Sequence, residues 1–172
     1  MGVVELKTAG TETGTLLSFE EWDGLVAQGR NILLVGRPGS GKSHHADATA
    51  QVAADSGRTV RLYRRYEEMR AIPDGVRLIK SLRREALVSS RQVPLLVVDD
   101  LDHDLGPEVG DILVRYGSRT QVVATMCYAP PRGMDSMTHW LNRNAVISPL
   151  LDRFHLVCTV DWRRRRIERV WP

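Results

Sequence analysis

The most specific chemistry in this 172-residue chain lies in eight consecutive residues, Gly36-Arg37-Pro38-Gly39-Ser40-Gly41-Lys42-Ser43. They match the pattern GxxxxGK[ST] at every fixed position, and each type has a physical reason. Gly39 and Gly41 let backbone N–H groups turn inward around an anion with no Cβ in the way. A helix starting at the loop adds the positive end of its dipole. Lys42 is placed to contact the β- and γ-phosphates of ATP, and the Ser43 hydroxyl to hold Mg²⁺. A simple strand-to-helix turn would not need Lys42 and Ser43 together. Gly36 through Ser43 are therefore the expected nucleotide-binding residues.

A second constellation follows downstream. Leu95-Leu96-Val97-Val98-Asp99-Asp100 reads as a buried strand ending in two carboxylates, which looks like a Walker B element. Asp99 is expected to bind Mg²⁺ through water, and Asp100 to orient or deprotonate the attacking water. Many hydrolysing P-loop families carry Glu at the second position, so Asp100 is a small departure. Asp102 and Asp104 continue the loop and read as solvated acids. Thr125 ends the run Gln121–Thr125, where a γ-phosphate sensor would sit. His44 and His45 follow the loop directly, but neighbours on a helix point about 100° apart, so they read as ordinary helix positions.

These groups need elements to position them. Apolar runs at Asn31–Val35, Thr59–Arg64, Pro94–Val98, Thr120–Thr125 and Phe154–Val160 read as strands. Helices are expected over 42–55, 76–91, 107–117 and 137–144, with Pro107-Glu108 suiting a first turn and Ser148-Pro149 a further cap and first position. Ser18-Phe19-Glu20-Glu21 is a capping box opening a short amphipathic helix, with Phe19, Trp22, Leu25 and Val26 on one face and an end near Gly29. Strands alternating with helices imply a parallel sheet covered on both faces. The expected fold is α/β: a three-layer P-loop NTPase with a five-stranded, mainly parallel sheet. Residues 1–17 read as a loose leader, and 18–172 as a single ATPase domain with a basic end at 161–172.

Composition narrows the setting. Hydrophobic residues make up 42% and charged residues 26%, an ordinary globular balance. No apolar run approaches the roughly 20 residues that span a bilayer, and Glu5 and Lys7 do not suit a secretory signal. Cys127 and Cys158 lie far apart with no metal-site spacing, which favours a reduced, cytoplasmic setting. The net charge of +3 is concentrated in residues 161–172, where five Arg stand against Asp161 and Glu168. Arg163, Arg164, Arg165 and Arg166 suit a polyanion such as nucleic acid; a solvated terminal strand or helix is the equal alternative. Tyr128 and Trp140 flank Pro130-Pro131-Arg132. Base stacking is one reading of them, and core packing the stronger one for Trp140.

The segment Ile147-Ser148-Pro149-Leu150-Leu151-Asp152-Arg153-Phe154 resembles the "ISPxLLxRF" segment before the last core strand of AAA+ ATPases. With the phosphate loop, "VRLYRRYEEM" at Val60–Met69, Asp99-Asp100 and the closing "LLDRF…DWRRRR", the chain resembles the DnaC/IstB type, over about residues 32–166. That group contains bacterial helicase loaders and the ATPase subunit of insertion-sequence transposition. The resemblance implies an ATPase that assembles as a homo-oligomer, engages DNA (single-stranded in the favoured reading) and delivers a helicase or transposase partner. It makes Arg153 an arginine finger supplied to a neighbouring subunit's ATP. There are departures: Met126 and Cys127 follow Thr125 where the group has a nearby Asn, the partner-binding extension is absent or short, and the residues after Phe154 are too few for a helical lid domain. Two other readings stay open. One is a DNA-translocating or packaging motor of the FtsK/HerA class; the other is a small-molecule kinase, for which an Arg-bearing lid is missing.

Overall fold

The computed structural model describes residues 15–63, 84, 92–101, 110–111, 113–115, 119–128, 136–145, 147–161 and 166–171. Its strands form where the apolar runs lie. They are β1 (Thr15–Leu17), β2 (Ile32–Gly36), β3 (Val60–Tyr63), β4 (Leu95–Val98), β5 (Gln121–Cys127), β6 (Leu156–Asp161) and β7 (Arg166–Trp171). Among the described residues the helices with both ends in view are α1 (Phe19–Ala27), α2 (Lys42–Asp55) and α3 (Met137–Arg143), with a 3-10 turn at Ser148–Arg153. The sheet order is β1-β7-β6-β2-β5-β4-β3. The five strands from β6 to β3 are all parallel, as expected. β7 and β1 add an antiparallel extension on the β6 side, beyond the five expected strands; of the two, β7 falls in the segment for which a terminal strand is one alternative. Thr15–Leu17, assigned to the leader, pair with Arg169–Ile167 of β7.

The middle strands are buried on both faces, which is why they read as unbroken apolar runs. Alternate side chains divide between two cores. Leu33, Val35, Leu96, Val98, Val122 and Ala124 pack with Trp140 and Leu141 of α3 and with Leu150, Leu151 and Phe154. Ile32, Leu34, Leu95, Val97, Val123 and Cys158 pack with Trp22 and Val26 of α1 and Ala46, Ala50 and Ala53 of α2. This makes three layers.

Local signals account for the helix ends. The capping box at α1 is present: Glu21 N–H donates to Ser18 Oγ at 3.2 Å, and Ser18 N–H donates to Glu21 Oε2 at 2.7 Å. That pair of hydrogen bonds with Ser18 holds the Glu21 carboxyl below its ordinary range. Gly29 takes a φ of 71°, as expected where the helix stops. At the 3-10 turn Ser148 is the first residue rather than the cap, which is Ile147; Pro149 sits in the first turn, where its missing N–H is harmless. Arg84 is helical, as are residues 110, 111 and 113–115; the rest of the helices expected over 76–91 and 107–117, with Pro107-Glu108, lies outside the described residues.

At the end of the sheet where its parallel strands begin, a polar network sets their alignment. Asn31 N–H donates to His155 Nδ1 at 2.9 Å, and Asn31 Oδ1 accepts Val122 N–H at 2.9 Å. Buried Gln121 bridges Arg58 (2.7 Å) and the Arg30 carbonyl (2.7 Å). Fixing β2, β5 and β6 at their starts also aligns their far ends, where the phosphate loop emerges.

The two histidines of α2 behave differently. His44 is exposed, whereas His45 is buried with its ring 4.5 Å from that of Trp22. Its Nε2 has no hydrogen-bond partner among the described residues. Burial drives the His45 pKa down to about 4, with Asp23 pulling it up and His44 pushing it down. Unfolded, this group takes its proton near pH 6.5; folded, near 4. Between those values the unfolded chain binds more protons, so stability is complete above pH 6.5 and is lost as pH falls towards 4. The loss is on the order of 3 kcal/mol. Urea midpoints at pH 7 and pH 4.5 should show a smaller acid loss in His45→Leu than in the parent. An equal loss in both would assign the acid sensitivity to other groups.

Candidate nucleotide and metal site

The loop from Arg37 to Gly41 joins β2 to α2 at the carboxyl end of the parallel strands, in the crevice where such sheets bind ligands. Gly39 (φ 75°) and Gly41 (φ 93°) take the left-handed conformations that turn their amides inward. Gly41 caps α2, and His45 N–H donates to its carbonyl at 2.9 Å. Ser40 N–H closes the turn onto the Arg37 carbonyl at 3.1 Å. Gly36 has a role the sequence reading did not assign. A Cβ there would run into the Ser40 hydroxyl, which would have to turn away, so the glycine lets the loop fold back closely with Ser40 as placed.

Lys42 is 7% exposed, and its Nζ donates to the Arg37 carbonyl at 3.1 Å. Lysine is seldom buried without an anionic partner. Among the described residues no carboxylate supplies one. Two of its three donors remain for an incoming anion.

The acidic strand meets the loop through a hydroxyl. Ser43 Oγ donates to Asp99 Oδ1 at 2.9 Å, joining residues 56 apart in sequence. Asp99 is buried, while Asp100 is exposed with a φ of 60°. β5 lies between β2 and β4 and brings Thr125 into the same cluster. The Thr125 hydroxyl donates to Asp99 Oδ1 at 2.5 Å and accepts Asp100 N–H at 2.9 Å. A hydroxyl and a carboxylate are hard oxygen donors of the kind Mg²⁺ takes, together with phosphate oxygens and water. No group of three His, Cys, Asp or Glu forms a separate metal cage among the described residues. Ser43 and Asp99 thus fit Mg²⁺ arriving with phosphates.

Arg153 stands elsewhere. It ends the 3-10 turn just before β6, and Ile32 is aligned with Leu156, so Arg153 lies where β2 and β6 begin. The phosphate loop lies where they end, roughly 13 Å further along the strands at about 3.3 Å per residue. Arg153 is exposed, and no ion pair with Asp152 forms. The structure therefore brings together Lys42, Ser43, Asp99, Asp100 and Thr125, and sets Arg153 apart at the opposite end.

A cavity of about 480 Å³ opens beside the loop, bounded by Gly36–Ser40, Tyr128, Met137, Thr159 and Val160. Trp140 is 5% exposed and packs edge-on against Tyr128 at 5.0 Å, so it belongs to the core and not to a base-stacking surface. A larger cleft, about 580 Å³, lies between α1 and the far half of α2, away from these groups. Cys127 and Cys158 are free thiols. Asp102, Asp104, Pro130–Arg132 and Arg163–Arg165 lie outside the described residues, and Arg166 begins β7. No described helix is long and apolar enough to cross a membrane.

Compared with known protein families and curated proteins, the chain matches none. Among solved structures it resembles the DnaC helicase loader at 20% identity, with a TM-score of 0.45 over 78% of this chain and 80% of that one. It also resembles PCH-2 of C. elegans at 17% identity and a TM-score of 0.45, covering 80% of this chain but only 38% of that protein. The chemistry of the site rests on its own residues.

Proposed function

We propose that this chain is an ATPase of the AAA+ kind that acts on DNA as a loader or remodelling factor. The observation that carries the reading is the 2.9 Å hydrogen bond between Ser43 and Asp99, which joins a phosphate-binding loop to an acidic strand end. In this reading the amides of Gly39–Ser43 and the ammonium of Lys42 hold the β- and γ-phosphates. Ser43 and Asp99 hold Mg²⁺, which when bound neutralises phosphate charge. Asp100, exposed at the mouth of the cluster, orients the attacking water and takes its proton. ATP and water give ADP and phosphate.

On the resemblance, Arg153 serves a neighbouring copy; its exposed place at the opposite end of the sheet from its own loop is compatible with that role. That role implies a homo-oligomer with composite sites. Arg163–Arg166 supply the contact to single-stranded DNA, and a helicase or transposase is the partner class the resemblance implies. Arg166, the last residue of that basic run, begins β7, which pairs antiparallel with β6 and β1. Asp100→Asn tests the catalytic part. Phosphate release should fall by about 10²-fold or more while nucleotide affinity stays within about twofold. Turnover unchanged by this substitution would remove Asp100 as the base.

A further inference from the structure

We infer that Thr125 is a positioning residue that locks the two acids of the site into their working arrangement, and that it does not read the terminal phosphate. The inference rests on the ATPase reading and specifies how its acidic pair is held.

A threonine hydroxyl has one proton to give and lone pairs to receive. A backbone N–H can only donate, so the 2.9 Å contact from Asp100 N makes Thr125 Oγ1 the acceptor. The single hydroxyl proton then goes to Asp99 Oδ1 at 2.5 Å. Thr125 is wholly buried, and its carbonyl accepts Leu101 N–H at 2.8 Å. One residue of β5 therefore holds Asp99, Asp100 and Leu101 in succession.

Asp100 needs holding. Its φ of 60° places it in the left-handed region, which aspartate tolerates but does not prefer. It is the only non-glycine residue with positive φ among those described. The turn lets Asp99 face inward to Ser43 while Asp100 faces solvent. A phosphate oxygen can only accept a hydrogen bond. Thr125 could donate to one only by releasing Asp99, which would loosen the Mg²⁺ site at the moment it is needed.

The test uses Thr125→Val, which keeps shape and loses the hydroxyl, and Thr125→Ser, which keeps the hydroxyl and loses a methyl. Two readouts are taken: Mg²⁺ titration of fluorescent ATP-analogue binding, and kcat and KM for phosphate release. Thr125→Val should weaken apparent Mg²⁺ affinity and lower kcat by about 10- to 100-fold, as for residues that orient a metal ligand. Nucleotide affinity at saturating Mg²⁺ should stay within about twofold, and Thr125→Ser should recover most of both losses. A Val variant that loses its preference for ATP over ADP with an unmoved Mg²⁺ titration would make Thr125 a phosphate reader and overturn the inference. So would a Val variant indistinguishable from the parent. A parent chain that neither binds nor hydrolyses ATP would sink the ATPase reading itself, and the inference with it.

Discussion

Arg153→Ala should lower ATP turnover by about 10³-fold at protein concentrations where subunits assemble, the usual scale for an arginine that completes a phosphoryl-transfer site. Nucleotide affinity should hardly change, because the residue sits at the end of β6 opposite its own phosphate loop. Its side chain is exposed and pairs with no neighbouring acid, so removing it disturbs no described contact. The proposed composite site allows a sharper version of the experiment. Subunits carrying Arg153→Ala have a sound phosphate loop, and subunits carrying Lys42→Ala have a sound Arg153. Mixing the two inactive preparations should restore turnover in the sites that combine both sound halves. Activity that stays at the level of the separate variants, or an Arg153→Ala protein as fast as the parent, would show that no such shared site exists.

Lys42→Ala should abolish measurable ATP binding as well as turnover. The ammonium is buried with only the Arg37 carbonyl as described partner, and charge-assisted hydrogen bonds contribute about 1.5–3 kcal/mol each, so losing contacts to two phosphates weakens binding by about 10²-fold or more. The same burial separates binding from folding. Taking a buried cation without a carboxylate partner out of the fold should leave the melting temperature without nucleotide unchanged or higher. In the parent, saturating ATP should raise Tm by mass action, and in Lys42→Ala that rise should vanish. A variant still stabilised by ATP would place the nucleotide away from the loop.

Much of this site was legible because its parts are short and contiguous. Gly36–Ser43 carry the full GxxxxGK[ST] pattern within eight residues, which fits the glycine turn and helix start found there, and Leu95–Asp100 declare a buried strand with acids at its exit. α2 runs over the expected Lys42–Asp55, since the loop sets its start and the Ser56-Gly57 turn its end. Other features depend on tertiary arrangement. The bond from Thr125 to Asp99 exists because β5 is inserted between β2 and β4, and no local pattern specifies that order. β1 is three residues long, too short for any periodicity. In β7 the charges of Arg166, Glu168 and Arg169 leave a solvated strand, a helix and a polyanion contact open, and buried Ile167, paired with Val160 and Leu17, decides for a strand of the sheet. His44 and His45 looked alike in sequence; the helical turn of about 100° sent one to solvent and the other against Trp22.

In the proposed function ATP is hydrolysed at sites shared between copies of this chain, and DNA promotes their assembly. Steady-state phosphate release per subunit, measured over a protein-concentration series with and without single-stranded DNA, tests it most directly. The rate per subunit should climb with concentration, reach its plateau at lower concentration when DNA is present, and lose the DNA effect as salt rises. A flat rate, insensitive to both concentration and DNA, would contradict it.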